Sequence, residues 1–474
     1  MRPAQAGPEG SARLKWTVHL VVPLLLALTS FAAAWLKVYS FKVYDYDYTV
    51  FANMLWNFAN GNGWLTSLYA GQPRELFLAD HLAWLIPVLS PFFVLFPSPY
   101  TLSVLHSLSF AATFFLVPFF VREVWKQRGR EDYLPAALFL LLALSFSRGF
   151  YGAWAYQTHM TTLVMPFLLA SLIALHRKAL LWAVLFCLLT VLAQERASVA
   201  LFGVGLYAAL VTQHRRLGVV LCVFSSLYFF AAVKLVIPFF AGGGYLYTST
   251  VQPFHAVDKK VFYLLLFFAS WYFLPLLGKR AWLASLCALP IVSLNLLSSR
   301  DVMYQFTLHY QDLPSVFFLA AATFGLLRLW ETGWLQKLPR KGPAFLACAC
   351  LLLSFADNKR LPIRQLGSWR PNPHIARLNA TLSEYSQLPP EIKVYAPVAI
   401  GPRFSMRKHR YPLNSQTASQ HFSSSMVFVA PKHELSPKEQ EENVALLLSN
   451  PSLVLTQQTP ELLVFASADL LKES

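Results

Sequence analysis

The stretch His81–Phe96, HLAWLIPVLSPFFVLF, decides how this chain is threaded. It is apolar, but short and interrupted by Pro87 and Pro91. A helix needs about 20 residues to cross a ~30 Å hydrocarbon core. Counting the stretch as a span would invert everything after it and turn four or five Lys/Arg clusters outward, against the positive-inside rule. It therefore reads as a juxtamembrane or re-entrant helix, a form tolerated where protein or water meets the backbone.

Outward from this point the chain is a series of apolar runs. Spans are expected at about 16–38, 100–122, 133–148, 160–176, 179–194, 197–213, 217–240, 261–277, 281–298, 312–330 and 343–356. The clusters Arg122/Lys126/Arg128/Arg130, Arg177/Lys178, Arg215/Arg216, Lys279/Arg280 and Lys337/Arg340/Lys341 all fall on the side of the basic N-terminus. That parity predicts a polytopic α-helical membrane protein with about 11 transmembrane helices, N-terminus inside and C-terminus outside. The transmembrane domain is expected over residues 1–356, and its first outer loop, 39–99, is the longest within it. A long loop needs a reason.

Bulk composition agrees. Of 474 residues, 56% are hydrophobic and 13% charged, against about 25% charged in soluble domains. The net charge of +16 sits largely in short loops, so it points to membrane orientation and to no nucleic acid partner. The five cysteines lie in apolar runs without zinc-motif spacing and read as small apolar fillers. Residues 1–15 are polar and basic, and the run after them lacks a small-residue cleavage site, so it reads as a retained first span. No P-loop, dinucleotide fingerprint or His-Glu-x-x-His motif occurs.

Past residue 356 the pattern changes. Glu391–Ile400 and Ser425–Ala430 read as strands, and Leu453–Leu455 with Leu462–Phe465 as a closing pair. Ser436-Pro437-Lys438-Glu439 reads as a capped helix start, with the helix ending before Asn450-Pro451. Residues 357–474 are thus expected to form a small α/β domain outside the membrane.

The polar residues that could carry chemistry gather on the outer side. Asp45 and Asp47 follow the first span; a carboxylate there can accept a proton from a hydroxyl or bind a metal, or simply cap the next helix. Glu75, Asp80 and His81 come before the short apolar helix, where Asp80 can cap it and His81 can touch a phosphate or ligate a metal. Arg148 and His159 flank the aromatic stretch Phe150–Tyr156; Glu195 and Arg196 occupy a short outer turn; Lys234 lies near the end of a span. An ionisable group there is costly and functional unless it snorkels. His255, Arg300, Asp301, His309 and Tyr310 complete the outer set.

These residues resemble a bacterial family of predicted membrane proteins, domain of unknown function 2079. The resemblance rests on Asp47-Tyr-Thr-Val-Phe-Ala-Asn-Met-Leu-Trp56-Asn57, Gly61-Asn-Gly63, Asp80-His81, Tyr156-Gln-Thr-His159, Glu195, His309-Tyr310…Pro314 and Phe404-Ser-Met-Arg407 before Tyr411-Pro412. Where the family pattern has a second acid, a Lys before the later Glu and a Gln in the second span, this chain has Ala52, Gln194 and His106. The family looks like a relative of the GT-C glycosyltransferases, which typically take a sugar from a polyprenyl-phosphate donor. The resemblance implies a GT-C-like fold and an inverting transfer to an extracytoplasmic glycan, lipid or protein acceptor at the bacterial inner membrane. It makes Asp47 the base or metal-contacting acid, with Asp80 and His81 beside it. Asp45, Trp56, Asn57, Arg148, His159, Glu195, Arg196, Lys234, His309 and Tyr310 are then expected to bind substrate. No metal ligands are assigned, although the chemistry leaves room for a divalent cation. A lipid-linked-sugar transporter or flippase and a non-catalytic membrane scaffold are the alternatives. A transporter would show mid-span charges and paired broken helices, whereas the charges here sit at span edges.

Overall fold

The computed structural model describes residues 8–43, 46–66, 76–156, 158–306, 308–339, 342–357, 361–430 and 437–473. Asp45, Glu75 and Ser436 lie outside the described residues. Each apolar run folds as helix over most of its length. Among the described residues, Ala12–Tyr39, Thr101–Lys126, Arg215–Ala241 and His309–Glu331 are long and apolar enough to cross a membrane. Two bent pairs add to these: Leu134–Phe146 with Arg148–Ala155, at 59°, and Lys279–Leu286 with Leu289–Leu297, at 49°. The expected span at 133–148 thus stops at Phe146, where extended Ser147 turns the chain into a second helix headed by Arg148. Proline occupies the first turn of the helices starting at Leu134, Met165 and Leu289, where its missing N–H costs nothing.

The deciding stretch forms a helix at Leu85–Leu95. Eleven residues rise only about 16 Å, roughly half the hydrocarbon core. Asp80 does not cap this helix: Trp84 stands at its N-cap, and Asp80 closes a 3-10 turn at Phe77–Ala79. The reason lies in the intervening backbone. Leu82 N–H donates to Glu195 Oε2 at 3.0 Å, and Leu85 N–H to the Leu192 carbonyl at 2.7 Å, so the chain from 82 to 85 is tied to the facing ends of helices Leu180–Val191 and Glu195–Leu210 where helix geometry begins.

Helix Asp312–Glu331 is the centre of the helical body, with all of its first fourteen residues buried. The helices Glu195–Leu210 and Arg215–Ala231 pack especially closely. A Cβ on Gly205 would sit 2.8 Å from the Gly218 carbonyl oxygen, and one on Gly218 would sit 2.6 Å from that of Gly205; small residues permit such backbone approach. This antiparallel pair brings Glu195 and Arg196, at the start of one helix, beside Lys234, at the end of the other. The outer face of Arg215–Ala231 leaves Val219, Val220, Leu227 and Phe230 exposed, the surface of a helix facing lipid.

The C-terminal region holds five strands: β1 Lys393–Ala396, β2 Arg410–Pro412, β3 Ser425–Val429, β4 Leu453–Gln458 and β5 Leu463–Ser467. Their order is β2-β1-β3-β5-β4, with β1 parallel to β2 and β3, and β5 antiparallel to β3 and β4. Alternation along β3 sends Met426 and Phe428 to one face, under helix Pro373–Tyr385, and Val427 and Val429 to the other, under Leu447 of helix Pro437–Leu448. This sheet unit docks on the segment that follows helix Ala12–Tyr39. Asn53 Nδ2 donates to the carbonyls of Ser405 and Arg407 at 2.9 and 2.7 Å, and Phe41 enters the sheet's core.

Candidate functional site

Helix Tyr46–Ala59 carries Asp47 in its first turn, one step inside the cap position proposed for it. A carboxylate there is favoured by the helix dipole. The Asp47 carboxylate also accepts the Tyr156 hydroxyl at 2.9 Å. Tyr156 ends the Arg148–Ala155 helix at its C-cap, and this helix lies against the segment that carries His309. A Cβ on Gly152 would collide with the Phe306 carbonyl oxygen, so glycine is what allows the two to meet.

A cavity of about 340 Å³ opens beside this point, lined on its polar side by His81, His159, Gln194, Glu195, Arg196, Lys234, Arg300 and Tyr310. Phe229, Val233, Leu294 and Leu297 form an apolar wall. Glu195 organises the floor. Its carboxylate accepts from His81 Nδ1 at 2.8 Å, Leu82 N–H at 3.0 Å and the Tyr245 hydroxyl at 2.9 Å. Burial alone would lower the His81 imidazole; Glu195, Asp80 and Asp47 reverse this and raise it to about 9. His81 is therefore a cation at neutral pH, stacked on Tyr247 at 5.3 Å.

Arg196 is buried at 8% exposure. One Nη donates to the Tyr310 carbonyl at 2.6 Å and to Asn295 Oδ1 at 3.4 Å, and the guanidinium lies 4.9 Å from the Tyr310 ring centroid. Among the described residues, its Nε and other Nη have no hydrogen-bond partner. A buried guanidinium without a carboxylate is costly, and five donors in a fixed fork suit a phosphate or carboxylate. Lys234, in a π-helical turn at Ala232–Val236, and Arg300, over the Tyr247 ring at 5.5 Å, join the same cavity.

His159 links this cavity to Asp47. The ligand atoms of Asp47, His159 and His309 lie within 4.8 Å of one another. The two imidazoles stack with centroids 3.5 Å apart. Burial, with Arg196 and His81 nearby, lowers the His159 imidazole well below its ordinary value, so it stays neutral. The arrangement can bind an anion on the cation side and offers a carboxylate and two imidazoles on the other.

Of the residues singled out from sequence, His81, His159, Glu195, Arg196, Lys234 and Tyr310 line the cavity. Asp47 and His309 reach it through His159, and Asp80 approaches His81 at 3.7 Å. Arg148 is not among the lining residues. Trp56 and Asn57 face elsewhere: Trp56 packs half-buried on the helical core, and Asn57 bonds to Asn53 Oδ1 and the Leu65 carbonyl. Ala52 is fully buried, and His106 points to the Trp154 carbonyl at 3.4 Å. Sequence reasoning missed Tyr245, Tyr247, Thr161 and Asp312. Asp312, an acid at the head of an apolar run, was the one visible signal.

The profile of the family described as predicted membrane protein, domain of unknown function 2079 (DUF2079), matches residues 37–452. No curated protein matches the chain. Among solved structures, ArnT from Cupriavidus metallidurans bound to undecaprenyl phosphate superimposes with a TM-score of 0.55 at 13% identity, covering 96% of this chain and 99% of that one. The same protein in its apo state gives a TM-score of 0.54 at 13% identity, covering 93% and 98%. At such identity the likeness is one of fold, and it agrees with the GT-C-like architecture expected from the motifs.

Proposed function

This chain belongs to the DUF2079 family of predicted membrane proteins, and we propose that it is a membrane glycosyltransferase that takes its sugar from a polyprenyl-phosphate donor. The observation that carries this reading is Arg196, a buried guanidinium with two nitrogens unpartnered among the described residues, in an apolar-walled cavity beside Lys234 and Arg300. A lipid phosphate satisfies both halves of such a cavity. Its charge meets the cations and its chain meets the apolar wall. The fold likeness to ArnT, solved with undecaprenyl phosphate, supports the same donor class.

In this reading the cations stabilise charge developing on the leaving phosphate. Asp47 stands on the His159 side and acts on the acceptor hydroxyl, as base or through a metal, and direct displacement inverts the anomeric carbon. The chain sits in the bacterial inner membrane with the site and the sheet unit, 357–474, outside. The test is lipid binding. Removing a charge-assisted hydrogen bond costs about 1.5–3 kcal/mol, so Arg196→Ala and Lys234→Ala are each expected to weaken polyprenyl-phosphate binding roughly 10- to 100-fold. Native mass spectrometry of detergent-purified protein with added lipid reads this directly. Unchanged binding in both variants removes the donor site.

A further inference from the structure

We propose that the basic end of the helical body, opposite the cavity, holds an anionic phospholipid with two phosphates, of the cardiolipin class. Three chain segments converge there. Arg128 follows helix Thr101–Lys126, Lys279 and Arg280 open helix Lys279–Leu286, and Arg328 lies in the last turn of helix Asp312–Glu331. A close approach fixes where the last two meet. A Cβ on Gly278, whose φ is +96°, would sit 3.2 Å from Arg328 Cγ. The Arg328 side chain therefore lies across the start of the helix that carries Lys279 and Arg280. Arg128 is near enough to repel Arg280, and Glu331 near enough to attract it.

Positive charge is left over at this point. Arg128 approaches Glu331 at 3.8 Å. Nearby acids are already engaged, Asp132 by Arg130 at 2.8 Å and Glu123 by Arg122 and Arg177 at 3.0 and 2.9 Å. Among the described residues, the side chains of Lys279, Arg280 and Arg328 make no hydrogen bond or ion pair. Lys279 and Arg280 also open their helix, where the dipole disfavours cations. Four cations thus gather against Glu331, an excess that one phosphodiester, with its single charge, does not balance. Two phosphodiesters on one lipid balance most of it, and basic pockets between membrane helices on the cytoplasmic side suit such headgroups. An apolar stripe continues from the cations. Lys279, Trp282 and Leu286 share one helix face by their spacing. Trp282, Leu286 and Leu289 are 48%, 38% and 48% exposed, a surface for acyl chains, with the indole at headgroup level. Nothing in this site depends on the transferase reading.

The test uses the full chain, purified in detergent and washed free of lipid. Cardiolipin, phosphatidylglycerol and phosphatidylcholine with matched acyl chains are titrated in separate arms, and adducts are read by native mass spectrometry. Each cation beside a charged headgroup is worth about fivefold in binding. One cardiolipin is therefore expected to bind at least about 10-fold more tightly than phosphatidylglycerol, and excess inorganic phosphate should not displace it. Arg280→Ala/Arg328→Ala should weaken it roughly 30-fold. Arg215→Ala/Arg216→Ala removes the same charge from another helix start and should leave it unchanged. A cardiolipin with a photoreactive acyl chain should cross-link to the wild-type chain within 282–289, which tests the site even if the double variant fails to fold. Equal binding of phosphatidylglycerol, displacement by phosphate, equal loss in the two double variants, or cross-links confined to other segments overturns the proposal.

Discussion

His81 sits where two readings of one residue separate by pH. Glu195, Asp80 and Asp47 raise it to about 9 despite burial, against about 6.5 in an unfolded chain. Between these values the folded chain binds a proton that the unfolded chain lacks, so stability falls as pH rises from about 6.5 through 9. Below pH 6.5 the contribution is complete. The shift corresponds to at most about 3–4 kcal/mol. A melting temperature recorded in detergent from pH 6 to 10 should drop across this window, and His81→Gln should flatten the drop. An identical pH profile in the variant would show that another group titrates. Asp47 offers a second separation. As the acid at the reacting centre its loss should cost the ~10²–10⁴-fold typical of general acid–base catalysis, whereas a first-turn dipole contact is worth about 0.3–1 kcal/mol of stability. Asp47→Asn is expected to be folded, membrane-inserted and inactive in sugar transfer. Normal transfer in Asp47→Asn would move the role to Asp80. Asp47, His159 and His309 were visible in the sequence as polar residues gathered on one side of the apolar runs. Their convergence was not visible, because it depends on Gly152 and Tyr156 packing segments that are far apart in sequence.

At the scale of elements, legibility followed the length of the pattern. The apolar runs were readable because they repeat one chemistry over many residues, and strands β1, β3, β4 and β5 because they alternate or sit between turn residues. Strand β2 is three residues, Arg-Tyr-Pro, too short to carry a period. Helix Pro373–Tyr385 had a signal that went unread: Asn372 at the N-cap, Pro373 in the first turn, and Ile375, Leu378 and Leu382 at helical spacing on the buried face. The kink after Phe146 was hidden because Ser147 is an ordinary residue whose extended backbone is set by tertiary packing. That kink matters, since the second helix of the pair brings Tyr156 to Asp47. Its close approach to the Phe306 carbonyl depends on Gly152. Gly152→Ala should force the two segments apart at a cost of about 1–3 kcal/mol, the usual range for overpacking. The exposed Gly243, with open space around it, is the matched control. Thermal melts of the two alanine variants compare them directly, and equal stability would mean that the contact yields without strain.

For the whole molecule, the parity of charges and the gathering of the site make one claim from two directions. The polar constellation lies at the helix ends that carry Asp47, Glu195 and His309. The basic clusters gather at the opposite ends, where Arg177 pairs with Glu123 at 2.9 Å and Arg128 approaches Glu331 at 3.8 Å. Arg130 lies over Trp330 at 5.7 Å on the same end. In the proposed orientation the basic end stays beside the cytoplasm and the end with Asp47, Glu195 and His309 faces outward. The sheet unit is fastened to the end with Asp47, through Asn53 to Ser405 and Arg407 and through Arg403 to the Tyr100 hydroxyl at 2.8 Å. A unit docked there has to cross with its loop, so an odd number of spans must separate it from a cytoplasmic N-terminus. The eleven-span reading satisfies this only if Leu85–Leu95, at about 16 Å, stays on the outer side. A reporter active solely outside the cytoplasm, fused after Ser474, is therefore expected to be active, and one fused within the Arg128–Asp132 loop to be silent. A silent C-terminal fusion with an active loop fusion would invert the molecule, place the carboxylate and histidines in the cytoplasm, and remove the outer-face transferase reading together with its topology.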